Sequence, residues 1–312
     1  MKMTLLGTGT SHGIPVIACD CSVCKSKNRK DKRLRCSAYV TNVNNDKSVS
    51  SILIDITPEF RIQALRKKIK SIDAVLLTHA HSDHIYGIDD IRIFSHTYSC
   101  DESCETQNKG LCFYGNKETI RSVKRRFDYI FTESQIGGGK PKINLKNIET
   151  VTEKEALCVG DMEVLPVAMK HGELNTTGYI ISCVEKDKQK HSIVYLTDCN
   201  KIKGKSIKYI NKKAGIIDHI VIDGLRENEH ATHFSFLQAM ECAEQINTKN
   251  VWFTHICHSL SHEEISEYIK ENLHKFPKLQ NIAMNGGFVE PAYDGLVLRT
   301  YRWNKYKINH VK

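Results

Sequence analysis

The sequence has 312 residues, 40% apolar and 26% charged, enough apolar side chain for one large α/β core. No apolar run approaches the ~20 residues of a membrane span, and the opening Met1-Lys2-Met3-Thr4-Leu5-Leu6-Gly7 is too short for an export signal, so a cytoplasmic chain without membrane contact is expected. The net charge of +9 suits an anionic partner, but the basic clusters at 25–35, 66–68, 121–126 and from Arg302 onward are scattered and read as solvated faces.

Short runs rich in Val, Ile and Leu recur in chain order at 3–6, 51–55, 74–78, 163–169, 179–183, 192–197, 220–223 and 251–254. Gly, Asn, Asp or Lys bound them, so they read as buried strands. Helical patterns lie between. Thr57-Pro58-Glu59 predicts a helix start with proline at the first helical position. Phe236, Ala239, Met240, Ala243 and Ile246 mark the apolar face of a second helix, and Ile265, Tyr268, Ile269 and Leu273 that of a third. Strands interleaved with helices imply an α/β fold.

Four of these strands run into a potential metal ligand: His79, His171 (after Lys170), Asp198 and His255. Sites in layered α/β proteins gather at strand ends, a placement that scattered surface histidines would not share. The segment Thr78-His79-Ala80-His81-Ser82-Asp83-His84 adds three imidazoles and a carboxylate within six positions. The spacing predicts a tight loop, because a regular helix or strand would splay these groups. Imidazole with carboxylate suits Zn²⁺, Mn²⁺ or Fe²⁺, and four donors in so short a stretch fit two adjacent metals better than one.

Twelve cysteines are many for a reducing compartment, where close spacing points to metal rather than disulfides. One cluster is Cys19, Cys21 and Cys24. Another is Cys100, Cys104 and Cys112, with His96 nearby. The second matches no strong template and could be a further zinc site or a lid-like inserted loop with reduced thiols. The remaining cysteines stand alone and read as small buried hydrophobes.

Taken in order, the HxHxDH segment with His171, Asp198 and His255 resembles the metallo-β-lactamase superfamily. The N-terminal Gly7-Thr8-Gly9-Thr10-Ser11-His12-Gly13-Ile14-Pro15, the CxCxxC that follows, Arg33-Leu34-Arg35-Cys36-Ser37-Ala38 and Thr176-Thr177-Gly178-Tyr179 are similar to its phosphoribosyl 1,2-cyclic phosphate phosphodiesterase branch. The resemblance runs from about residue 3 to 287. It implies a four-layer αββα sandwich of two mixed β-sheets flanked by helices. Residues 1–312 would form one such domain, with a Cys-rich insertion at about 95–113 and a basic tail at about 301–312.

The resemblance also implies the site. His79, His81 and His171 would hold one divalent ion, Zn or Mn, and Asp83, His84 and His255 a second, with Asp198 bridging. Cys19, Cys21, Cys24 and His258 would hold a structural zinc, Cys257 being an alternative fourth ligand. His233 would assist the leaving group, with His230 as a nearby competitor. Asp83, Asp198 and His233 are the expected catalytic residues. The implied activity is hydrolysis of a (cyclic) phosphodiester by a metal-bridging hydroxide. A small phosphorylated substrate is favoured over nucleic acid, and a homodimer is left open. Two other readings are a ribonuclease Z-like tRNA-processing endonuclease and a non-catalytic metal-binding relative in cofactor biosynthesis.

Overall fold

The computed structural model describes residues 1–95, 110–132, 139–151 and 156–301. His96, Cys100 and Cys104 of the expected Cys-rich insertion, and the basic tail after Tyr301, lie outside the described residues. The described residues form two seven-stranded sheets. The first runs in the order β14 (Val297–Arg299), β1 (Lys2–Gly7), β2 (Ser37–Val43), β3 (Val49–Ile54), β4 (Ala74–Leu76), β5 (Leu111–Gly115) and β6 (Ile143–Asn147). The second runs β13 (Val289–Pro291), β12 (Val251–Thr254), β11 (Ile216–Asp223), β10 (Lys190–Leu196), β9 (Leu174–Val184), β8 (Met162–His171) and β7 (Leu157–Val159). Both are mixed: β14 to β3 and β7 to β10 pair antiparallel, β3 to β6 and β10 to β13 parallel.

Strands β4, β5 and β12 are apolar at nearly every position because both faces are covered. Side chains alternate between faces. Ile52, Ile54, Ala74 and Leu76 point between the sheets, where they meet Ile181, Ile193, Tyr195, Val221 and Trp252. Leu53, Val75 and Leu77 point the other way, toward Phe60 and Val123 of the helices Phe60–Lys67 and Lys117–Arg126. On the second sheet Val194, Leu196, Ile220, Ile222 and Phe253 face the helices Gly204–Lys213, Phe236–Glu244 and His262–Asn272. The result is the expected αββα layering. Among the described residues no helix is long and apolar enough to cross a membrane.

One expected boundary moves. The first helix begins at Phe60 rather than Pro58, with Glu59 as its cap residue. The Thr57 hydroxyl accepts from the Glu59 N–H at 3.2 Å and the Thr57 carbonyl from the Phe60 N–H at 2.9 Å, so these residues form a turn ahead of the helix.

His219 ties the sheets together. Its Nε2–H donates to the Arg299 carbonyl of β14 at 3.0 Å, and its Nδ1 accepts from Trp252 Nε1 at 3.1 Å. The bond from Trp252 needs an unprotonated Nδ1, hence the neutral ring, and burial pushes its pKa down from 6.5 to about 4. The unfolded chain therefore binds a proton that the folded chain refuses. Stability from this group is complete above pH 6.5 and is lost as pH falls toward 4, by about 3 kcal/mol at the acid end. Urea denaturation at pH 7 and pH ~4.5 checks this: a His219→Gln variant should be less pH-sensitive than the parent, and equal sensitivity would refute it.

Candidate metal centre

Asp55 follows β3, the 79–84 segment follows β4, His171 ends β8, Asp198 follows β10, Asp223 ends β11 and His255 follows β12. Parallel strands place these ends at one edge of the sandwich. Asp55, Asp198 and His255 have φ of 58°, 56° and 62°, in the left-handed region. Non-glycine residues there cost roughly 1–3 kcal/mol each and persist where surrounding structure holds them. Three together mark this edge as built for position rather than for backbone comfort.

The 79–84 segment is only half the tight loop expected. His79 to His81 is irregular, but Ser82–Ile85 forms one helical turn with His81 as its cap residue. That turn carries Asp83 and His84. The splaying argument fails here because the turn is too short to swing adjacent side chains out of the site, and His84 still reaches Asp83 at 3.2 Å.

Donor atoms of His79, His81 and His171 lie within 4.8 Å of one another, as do those of Asp83, His84, Asp198 and His255. Asp198 touches both sets. Its Oδ1 is 3.1 Å from His255 Nε2 and 3.8 Å from His79 Nε2, and its Oδ2 is 3.2 Å from His84 Nε2. All of these residues are buried except His81. His79 Nε2, His84 Nε2 and both nitrogens of His255 are buried without a hydrogen-bond partner among the described residues. Orphaned buried nitrogens facing carboxylates are a donor set that fits divalent cations of the zinc or manganese kind.

The charges agree. Burial works against a charged His84, yet Asp198, Asp83 and Asp55 outweigh it and hold its pKa well above 6.5. His255 is likewise raised against its burial, by Asp198 and Asp83. Burial opposes ionisation of Asp198, but His255 and His84 hold it well below the carboxylate range. His79 goes the other way, lowered by burial and then by His84. Two buried carboxylates thus demand positive charge, which a bound cation would supply.

The ligand rings are oriented from behind. His84 Nδ1–H donates to Asp55 Oδ2 at 2.7 Å, and Thr78 Oγ1 donates to the same oxygen at 2.8 Å. Thr78 Oγ1 in turn accepts from His79 Nδ1–H at 3.0 Å. One fully buried aspartate therefore fixes the tautomer of two rings and leaves both Nε2 atoms facing the site. His171 Nδ1–H donates to the Thr232 carbonyl at 2.7 Å. His233 Nδ1–H donates to Asp223 Oδ2 at 2.9 Å, and that oxygen also accepts from Cys199 N at 3.1 Å. His233 stacks on His255 at 4.5 Å between ring centroids, and a donor atom of its ring lies within 4.8 Å of His171 and Asp198. It precedes the cap Ser235 of the helix Phe236–Glu244, whose capping box with Gln238 fixes the entering chain. His230 is exposed, and its Nδ1 is engaged by Thr232. Asp55 and Asp223 are functional candidates that the sequence reading passed over, though each closes an apolar strand run.

Cys19, Cys21 and Cys24 place their sulfurs 3.4, 3.4 and 3.5 Å from His258 Nδ1. A tetrahedral zinc with Zn–S near 2.3 Å and Zn–N near 2.05 Å would set that edge at about 3.5 Å. The Cys24 N–H, and then His258, bring the Cys21 thiol down to about 6, toward the thiolate. Cys257 is not in this group; its sulfur lies 3.5 Å from the Ser259 hydroxyl. Cys112, from the second cysteine cluster, sits in β5. The N-terminal loop beside the thiols is close-packed. A Cβ on Gly7 would lie 2.0 Å from the Arg35 carbonyl oxygen, and Gly13 has φ of 65°.

Residues 50–256 match the beta-lactamase superfamily domain. A crystal structure of a diphosphatase from the PhnP family superposes with a TM-score of 0.71 at 33% identity, covering 96% of this chain and 97% of that one. An octanoyltransferase of Porphyromonas gingivalis is 32% identical over 88% of this chain but only 50% of its own length, so this chain spans about half of that relative. A ribonuclease Z of Lachnoclostridium phytofermentans is 24% identical, covering 77% of this chain and 87% of its own.

Proposed function

The chain belongs to the beta-lactamase superfamily, in its PhnP family, and from that premise we propose that it is a phosphoric diester hydrolase acting on a small phosphorylated substrate with two divalent cations, zinc or manganese. His79, His81 and His171 would hold one cation, Asp83, His84 and His255 the other, with Asp198 between them. The observation that carries this reading is the reach of the Asp198 carboxylate to both sets, with His233 beside it. Bound cations supply charge neutralisation at phosphoryl oxygens and lower the pKa of water. The chain's own residues do the rest. Asp55, Thr78 and Thr232 hold the rings in one tautomer. Asp223 holds His233 Nδ1–H, which leaves Nε2 to deliver a proton to the departing oxygen.

The test is a hydrolysis panel on metal-loaded protein: ribose 1,2-cyclic phosphate, 2′,3′-cyclic nucleotides, linear diesters, a dinucleoside diphosphate, an acyl thioester and precursor tRNA. Turnover of a small diester or diphosphate supports the reading. Selective cleavage of precursor tRNA would move the substrate to nucleic acid, and thioester cleavage alone would move it out of phosphate chemistry.

We assign Cys19, Cys21, Cys24 and His258 to a structural zinc that joins the N-terminal loop to the segment after β12. Zinc binding here is folding free energy. Cys21→Ser should therefore lower Tm by about 5–15 °C with little change in kcat. Differential scanning calorimetry checks this, and an unchanged Tm would mean the thiols carry no metal.

A further inference from the structure

We propose that Arg33 is a positioning residue for His255, acting through Thr8 and Ile256. The inference rests on the metal-site reading above. Each of the other site histidines with a buried ring is tied by its own hydrogen bond: His79 to Thr78, His84 to Asp55, His171 to Thr232 and His233 to Asp223. His255 makes none among the described residues, from either ring nitrogen. Its Nε2 faces Asp198 and its ring stacks on His233 at 4.5 Å, but its Nδ1 has no anchoring bond among the described residues, so its aim depends on the backbone, which is in the left-handed region at φ 62°. A left-handed histidine needs both neighbours held.

On one side β12 holds Thr254. On the other, Ile256 is held by the N-terminal loop. Ile256 N donates to the Thr8 carbonyl at 3.0 Å, and Thr10 N donates to the Ile256 carbonyl at 3.1 Å. Thr8 is itself pinned through its side chain. Its hydroxyl accepts from Arg33 Nη1 at 2.8 Å and donates to Asp294 Oδ1 at 2.9 Å. Arg33 Nη1 also donates to the Ala292 carbonyl at 2.5 Å, and Nη2 donates to His262 Nδ1 at 3.3 Å. One planar guanidinium thus joins the N-terminal loop, the turn after β13 and the start of the helix His262–Asn272.

Arg33 is only 2% exposed, and its hydrogen bonds go to Thr8, Ala292 and His262 rather than to a carboxylate. Burial pulls its pKa down to about 10. A buried charge without a contacting counter-ion is poor value as a source of stability. What it supplies is geometry, because a fork of fixed donors orients several acceptors at once, as an ammonium cannot.

The test is Co²⁺ titration of the full chain followed by absorption, in which thiolate-bound and nitrogen/oxygen-bound cobalt give separable bands. Arg33→Lys keeps the charge and loses the fork; Thr8→Val removes the hydroxyl alone and covers the case in which Arg33→Lys does not fold. Each variant should bind cobalt at the histidine–aspartate site about 10- to 100-fold more weakly, well below its Tm, while the thiolate bands fill as in the parent. A merely structural role would lower Tm and leave that affinity unchanged, which overturns the clamp. Absence of nitrogen/oxygen-bound cobalt in the parent itself would overturn the metal-site reading and the clamp with it.

Discussion

Asp198→Ala is expected to lower phosphodiester turnover by at least about 10³-fold and to reduce the metal content of the purified protein. Asp198 is the group through which the two ligand sets meet, with one oxygen toward His79 and His255 and the other toward His84. Its backbone is strained and its side chain is buried, so the fold spends conformational energy to hold a charge where charge is costly. Removing the carboxylate takes away the largest opposing charge that His84 and His255 see. Asp83 and Asp55 still face His84, and Asp83 still faces His255, but the carboxylate shared by the two sets is gone. Asp198→Asn separates the two contributions: the shape is kept and the charge is gone. Metal stoichiometry by elemental analysis, together with kcat on a chromogenic diester, reads the result. Wild-type stoichiometry and rate in either variant would remove Asp198 from the bridge.

Most of this site was legible because the sequence places its donors at strand ends, and strand ends are readable from apolar runs. His79, His171, Asp198 and His255 were found that way. The same rule reached as far as Asp55 and Asp223, which terminate their own runs, yet neither was identified. Their roles are second-hand: each acts by holding a ring nitrogen, and no spacing pattern reports a partner 29 residues away in the chain, as Asp55 is from His84. Strand β2 escaped for a different reason. Ser37, Thr41 and Asn42 make it look polar, but the Ser37 hydroxyl is consumed by the carbonyls of Ile54 and Asp55 at 2.9 and 3.0 Å. Long-range bonding turned a loop-like composition into a buried central strand. The helical turn at Ser82–Ile85 was missed because one turn has no periodicity to detect.

His233→Ala should lower kcat by about 10²- to 10⁴-fold while leaving metal content unchanged, and the loss should depend on the leaving group. On the proposed reading His233 is a proton donor, although a donor atom of its ring also lies within 4.8 Å of His171 and Asp198. Its Nδ1–H is spent on the buried Asp223, which also accepts a backbone N–H from Cys199. That bond fixes the tautomer and would stabilise an imidazolium, so the free Nε2 can carry the transferable proton. A departing sugar alkoxide needs that proton; a nitrophenolate, already stable as an anion, does not. The defect should therefore be large on an alkyl or ribosyl diester and shrink toward unity on bis(p-nitrophenyl) phosphate. Asp223→Asn should reproduce the same leaving-group pattern more weakly, since the ring survives but loses the charge behind it. If His233→Ala instead slowed both substrates equally and released metal, His233 would belong to the ligand shell. The ring stacks on His255 at 4.5 Å and so is in reach of both roles, and comparing the two substrates in one variant separates them.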